Sequence, residues 1–144
     1  MPDSKTVLYR YGEEVWNQGK LSLIDELFTA DHRYHDAVLG ELPPGPEGVR
    51  QRVGTYMSAV PDAKVTFEDW MVDGDKVLCR WSWGGTNTGE LMGLPPTGRQ
   101  ATTTGMHLCH VREGRIAETW VSYDAFGFLR QLGVVQLGAA ESVA

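Results

Sequence analysis

The chain has 144 residues, 42% of them hydrophobic, which is the size of one globular domain around one core and leaves no room for a second. Against 19 acidic residues there are 13 Lys and Arg, a formal charge of −6, and no stretch gathers cations into the stripe that phosphate neutralisation needs, which argues against nucleic acid as a partner. No run is long and apolar enough to cross a membrane and the first residues hold no apolar block of signal-peptide length, so the expectation is a cytoplasmic protein.

In chain order, Asp3 or Ser4 can cap a first helix in which Val7, Leu8, Tyr11 and Val15 recur at helical spacing, and Asn17 and Gly19 end it. Leu21, Ile24, Leu27 and Phe28 make a second short amphipathic piece, and "HRYHDAV" reads as a brief extended segment. "GELPPGPEG" interrupts the chain. Within it Pro46 suits the first position of a third helix, whose apolar stripe is Val49, Val53, Tyr56, Met57 and Val60 and which Pro61 stops.

After Pro61 the period changes to two, the signature of strands with one face buried. "AKVTFEDWMV" and "KVLCRWSWGG" flank Asp73-Gly74-Asp75, a hairpin signal because a DG pair tolerates the positive φ angles of a tight turn. A longer loop leads to "TTTGMHLCHV", and Arg112-Glu113-Gly114-Arg115 turns it into "RIAETWVSYD". Cys79 and Cys109 lie in these strands outside any CxxC pattern, which points to buried thiols and no metal site. "AFGFLRQLG" then looks helical, and a small-residue tail from about residue 136 is expected to be flexible. The whole chain, 1–144, reads as one α+β domain, a curved antiparallel sheet with the N-terminal helices on one face.

Four tracts, "EEVWNQGKLSLIDELFTADHRYHD", "GPEGVRQRV", "GELMGLPPTGRQ" and "GRIAETWVSYDAFGFLRQLG", resemble the SnoaL-like polyketide cyclase family, also called ester cyclases, of the NTF2-like superfamily. The likeness runs over roughly residues 7 to 133. It implies a cone, a bent sheet wrapped by helices around a deep pocket, in a homodimer or homotetramer. It also implies cofactor-independent chemistry on a small hydrophobic or aromatic carbonyl compound. The cyclases of the family close a ring by an intramolecular aldol reaction, with an aspartate near the end of the last strand as acid and base; Asp124 matches it, within the pattern W-x-x-x-D-x-x-G from Trp120 to Gly127. A histidine of the preceding strand assists, and "GMHLCH" holds His107 and His110. Fold-level likeness leaves hydroxylation, dehydration, isomerisation, epoxide opening and plain binding open.

If Glu113-Gly114 is the tip of the last hairpin, Arg112 faces Arg115, and counting back pairs Cys109 with Glu118 and His107 with Trp120. His107 then shares a face with Trp120, Ser122 and Asp124, and His110 lies opposite; a one-residue bulge reverses this. The resemblance thus implies catalysis by Asp124, and this register adds His107. Substrate contact is assigned to His35, Trp120, Trp81, Trp83, Ser122 and His110, the tryptophans as stacking walls. Asp124 also has a purely structural reading as the cap of the last helix. Asp36, next to His35, reads best as a surface-loop residue. "LMGLP", residues 91–95, is a loop with apolar tips suited to a subunit contact.

Overall fold

The computed structural model describes residues 2–136; the tail expected beyond them lies outside the described residues. Asp3 caps α1 (Ser4–Arg10), its carboxylate accepting the Thr6 N–H at 2.8 Å. The chain then widens into a π-helical stretch over Tyr11–Asn17, where the Gln18 N–H reaches back five residues to the Glu13 carbonyl. Gly12 is required near its start because the Phe67 ring lies against the backbone: a Cβ there would stand 2.1 Å from the ring. A 3₁₀ turn, Leu21–Leu23, leads through α2 (Ile24–Leu27) directly into β1 (Phe28–Asp36). At nine residues β1 is longer than the segment read from "HRYHDAV".

After β2 (Gly40–Glu41), α3 (Pro46–Ala59) starts on its proline, and β3 (Lys64–Asp73), β4 (Lys76–Thr86), β5 (Gln100–Arg112) and β6 (Arg115–Tyr123) follow, with α4 (Ala125–Leu132) last. The strands form one sheet in the order β2-β1-β6-β5-β4-β3. β3 to β6 are an antiparallel meander, as the period-two pattern predicts. β1 pairs with β6 in parallel, so the sheet is mixed where the sequence reading expects an antiparallel one. The reason is topological: α3 carries the chain from β1 to the far edge of the sheet, and a crossover of that length permits parallel pairing where a hairpin does not.

α1, the π stretch and α3 cover the inner face of the sheet. On that face β4 places Val77, Cys79, Trp81 and Trp83, β5 places Thr103, His107 and Cys109, and β6 places Thr119 and Val121, all buried. Of the stripe read from sequence, Val49, Val53 and Tyr56 of α3 and Val60 just after it are buried, together with Arg52, and Met57 is half-buried. The Arg52 Nε donates to Asp36 Oδ2 at 2.8 Å, with the two side chains 4% and 1% exposed. Asp36 is thus a buried anchor and not a loop residue on the surface. Alternation along β1 turns it inward with His32 and Tyr34. Its second oxygen accepts the N–H groups of Val38 and Leu39 at 2.9 and 3.2 Å.

A charge left unpaired in such a place is costly, so Asp36→Asn is expected to lower unfolding free energy by about 3–5 kcal/mol, whereas Asp36→Leu with Arg52→Met costs far less; urea denaturation of the two variants checks this. His32, 1% exposed, has one ring nitrogen 2.8 Å from Thr119 Oγ1, and burial first, then the charge of His35, pushes its pKa down to about 4. Below about pH 6.5 the unfolded chain therefore takes up a proton that the folded chain refuses. Stability should fall by up to ~1.4 kcal/mol for each pH unit between 6.5 and 5, and His32→Gln should reduce that slope in pH-dependent denaturation.

Candidate functional site

Between the helices and the inner sheet face lies a cavity of about 50 Å³. Its apolar walls come from α1, the π stretch and β3, through Leu8, Trp16 and Phe67, and from β4, through Trp81 and Trp83. Its polar groups are those of Arg52, Tyr56, Thr103, His107, Tyr123 and Tyr11, all of which carry N–H or O–H donors. No carboxylate lines it among the described residues.

His107 is held on both sides. Its Nδ1 lies 2.8 Å from the Trp81 indole nitrogen, which can only donate, so Nδ1 is the acceptor and the neutral ring carries its proton on Nε2. That proton is donated to Tyr34 Oη at 2.8 Å, and Tyr34 in turn faces Tyr11 Oη at 3.0 Å. Burial, then the positive charge of Arg52, holds the His107 pKa well below the ordinary histidine value, and the ring is neutral at pH 7. Burial likewise raises the Tyr34, Tyr56 and Tyr123 hydroxyls, so these phenols keep their protons and act as donors. Tyr56 and Tyr123 are hydrogen-bonded to each other at the cavity. Cys79 and Cys109 are pushed up to about 12 by burial, which leaves them as inert thiols.

The sheet register separates the residues that the sequence groups with His107. Val111 pairs with Ile116 but His110 pairs with Glu118, so Ala117 is an extra residue in β6. Past this bulge Cys109 faces Thr119 and His107 faces Val121, in place of the pairs Cys109 with Glu118 and His107 with Trp120. Trp120 and Ser122 therefore lie on the outer face, as do His110 and His35. There Trp120 stacks on His35 at 5.0 Å and packs against His110 at 4.8 Å, and His35 Nε2 is 2.7 Å from Glu118 Oε2. Of the eight residues proposed from sequence, the cavity collects His107, Trp81 and Trp83.

Asp124 stands just past Tyr123, exposed, as the N-cap of α4. Its Oδ1 accepts the Gly127 N–H at 2.8 Å. Gly127 leaves room for the carboxylate as it stands: a Cβ there would be 2.2 Å from Oδ2. The backbone of Asp124 is tied to β5 by its N–H to the Thr104 carbonyl at 3.1 Å and by its own carbonyl, which accepts the Thr103 hydroxyl at 2.8 Å. Asp124 and His107 are not in contact.

Arg52, Tyr56, Tyr123, Tyr34 and Asp36 are the groups that the sequence reading missed. A signal for Arg52 exists. It sits three residues after Val49 and four before Tyr56, inside the apolar stripe of α3, where an unpartnered cation does not belong.

The sequence pattern of the family described as SnoaL-like polyketide cyclase matches residues 6–132. Nogalonic acid methyl ester cyclase of Streptomyces nogalater is 28% identical over 121 residues, which cover 83% of this chain and 90% of that protein. Among solved structures, IdmH of Streptomyces antibioticus, described as a candidate polyketide cyclase, is 33% identical with a TM-score of 0.78, over 91% of this chain and 99% of that one. TsrD of Streptomyces laurentii has a TM-score of 0.81 at 25% identity, over 91% and 95%. A family match that spans nearly all of the sheet and helices around the cavity settles the lineage: the chain belongs to the SnoaL-like polyketide cyclase family.

Proposed function

We propose that the protein closes a ring in a polyketide-like, enolisable carbonyl compound by an intramolecular aldol-type reaction that uses no cofactor. The observation that carries this reading is the cavity itself, whose aromatic walls suit a flat carbonyl substrate and whose lining includes the hydroxyl pair of Tyr56 and Tyr123 and Arg52, donors suited to an oxygen that gains negative charge. The family and the relative named for a methyl ester cyclase support the same class of chemistry.

In this reading a base removes a proton from the carbon between two carbonyls, and the enolate carbon attacks a second carbonyl of the same chain. One C–C bond forms, the attacked oxygen becomes an alkoxide, and the abstracted proton ends on that oxygen, so the product is an isomer of the substrate. The hydroxyl pair of Tyr56 and Tyr123 donates to the developing oxyanion, and Trp81 and Trp83 hold the ring system. Asp124 is the proposed base at the rim, next to cavity-lining Tyr123. To reach the substrate it gives up its bond to Gly127, an exchange worth about 0.5–2 kcal/mol and small beside a catalysed barrier. His107 has both nitrogens engaged, so its part is to hold Trp81 and Tyr34 in place. An epoxide hydrolase would need paired carboxylates, and neither Glu118, bonded to His35 on the outer face, nor exposed Asp69 lines the cavity.

The cap geometry of Asp124 favours a second reading, binding without turnover. Asparagine caps helices about as well as aspartate, so Asp124→Asn separates the two. With nogalonic acid methyl ester as a test substrate, a catalytic Asp124 predicts loss of about 10²-fold or more in kcat for the Asn variant at unchanged melting temperature. A cap alone predicts retained turnover in Asn and a loss of ~0.5–2 kcal/mol of stability in Asp124→Ala. Self-association through apolar surface is also proposed, since Met71, Met106 and Met92 are 70%, 48% and 44% exposed. Light scattering should then return a multiple of 16.0 kDa. A cytoplasmic site suits the free thiols of Cys79 and Cys109.

A further inference from the structure

Arg52 is 3% exposed and carries more donor capacity than the protein uses. Nε is taken by Asp36, whereas neither terminal nitrogen has an acceptor at ordinary hydrogen-bond geometry among the described residues. The Tyr11 hydroxyl lies near the guanidinium and is a weak acceptor for it, already shared with Tyr34. Among the described residues the one sealed, unpartnered side-chain polar atom is Thr29 Oγ1, so the terminal nitrogens of Arg52 keep contact with open space. Arg52 is among the side chains that line the cavity.

The surroundings hold the guanidinium there. Its carbon stands 5.0, 5.4 and 5.7 Å from the ring centres of Tyr34, Tyr56 and Trp16, which keep water off its faces, and Asp36 fixes its inner edge. The Asp36 charge is itself shared with the amides of Val38 and Leu39, so the pair does not cancel at the outer edge of the guanidinium. Two parallel N–H groups on a planar fork match the two oxygens of a carboxylate or of an ionised 1,3-dicarbonyl better than a single neutral carbonyl.

We propose that the terminal N–H groups of Arg52 form an anion-binding site in the cavity, which selects flat apolar ligands that carry a delocalised acidic oxygen pair, an enolate of a 1,3-dicarbonyl or a carboxylate, over their neutral analogues. The site deepens the ring-closing reading by naming the ionic form in which substrate is held, and it rests on that reading only for its use in turnover. Binding alone tests it, so its failure and the failure of catalysis at Asp124 are told apart.

The probes are 2-naphthoate and its uncharged isostere 2-naphthamide at pH 7.5, titrated by calorimetry against the full chain. Naphthoate should bind about ten- to a hundredfold more tightly, the worth of a hydrogen bond to a charged group. In Asp36→Asn with Arg52→Gln, which removes both charges together and keeps both polar shapes, the ratio should fall to within about threefold, with folding checked by circular dichroism. Arg52→Lys keeps the charge without the fork and should retain part of the preference. Equal affinity for the two probes in the unaltered protein overturns the proposal whether or not any variant folds, as does a preference that survives in the folded double variant.

Discussion

One buried cation organises this protein. Arg52 lies under three aromatic rings with its Nε on Asp36, and a guanidinium without that carboxylate would be among the most destabilising groups the core could hold. The pair therefore fixes α3 against the end of β1. Asp36 must point inward, which sets the phase of β1 and turns His32 and Tyr34 to the same side. Tyr34 in turn faces His107 and Tyr11, so a contact at the sheet's edge orders the polar wall of the cavity in its middle.

The second constraint is the extra residue at Ala117. Side chains alternate along a strand, so one inserted residue sends every following position of β6 to the opposite face. The bulge directs Thr119, Val121 and Tyr123 into the domain and Trp120 and Ser122 out. It gives the molecule two different aromatic environments, a closed one around His107 and an open one around His35, Trp120 and His110. With Tyr123 facing in, Asp124 emerges at the rim, where the first amides of α4 await an acceptor. The cap is the role the structure shows for that aspartate, and the proposed base would act from the same place beside Tyr123.

The polar chain through the core runs in one direction because of what its members can donate. An indole only donates, so His107 must accept from it and pass its own proton to Tyr34. A neutral, doubly bonded histidine is a structural part of the wall, and the groups with capacity to spare are the tyrosine pair and the guanidinium edge.

By itself the sequence determined every element whose signal is local. A cap at Asp3 or Ser4, the capping position of Asp124, the proline start of α3, the hairpin at Asp73-Gly74-Asp75 and the alternation that sets Trp81 and Trp83 on one face are all contained in a few neighbouring residues. So is the family, through tracts that run along almost the whole chain. Only the tertiary structure decided what depends on partners far apart in the chain. The parallel seam of β1 with β6, the pairing of Asp36 with Arg52 and the contact of His107 with Tyr34 join residues that no local pattern links. The bulge at Ala117 is the sharpest case: a residue inserted in one strand is invisible without the strand it fails to match, yet it decides which side chains of β6 face the cavity.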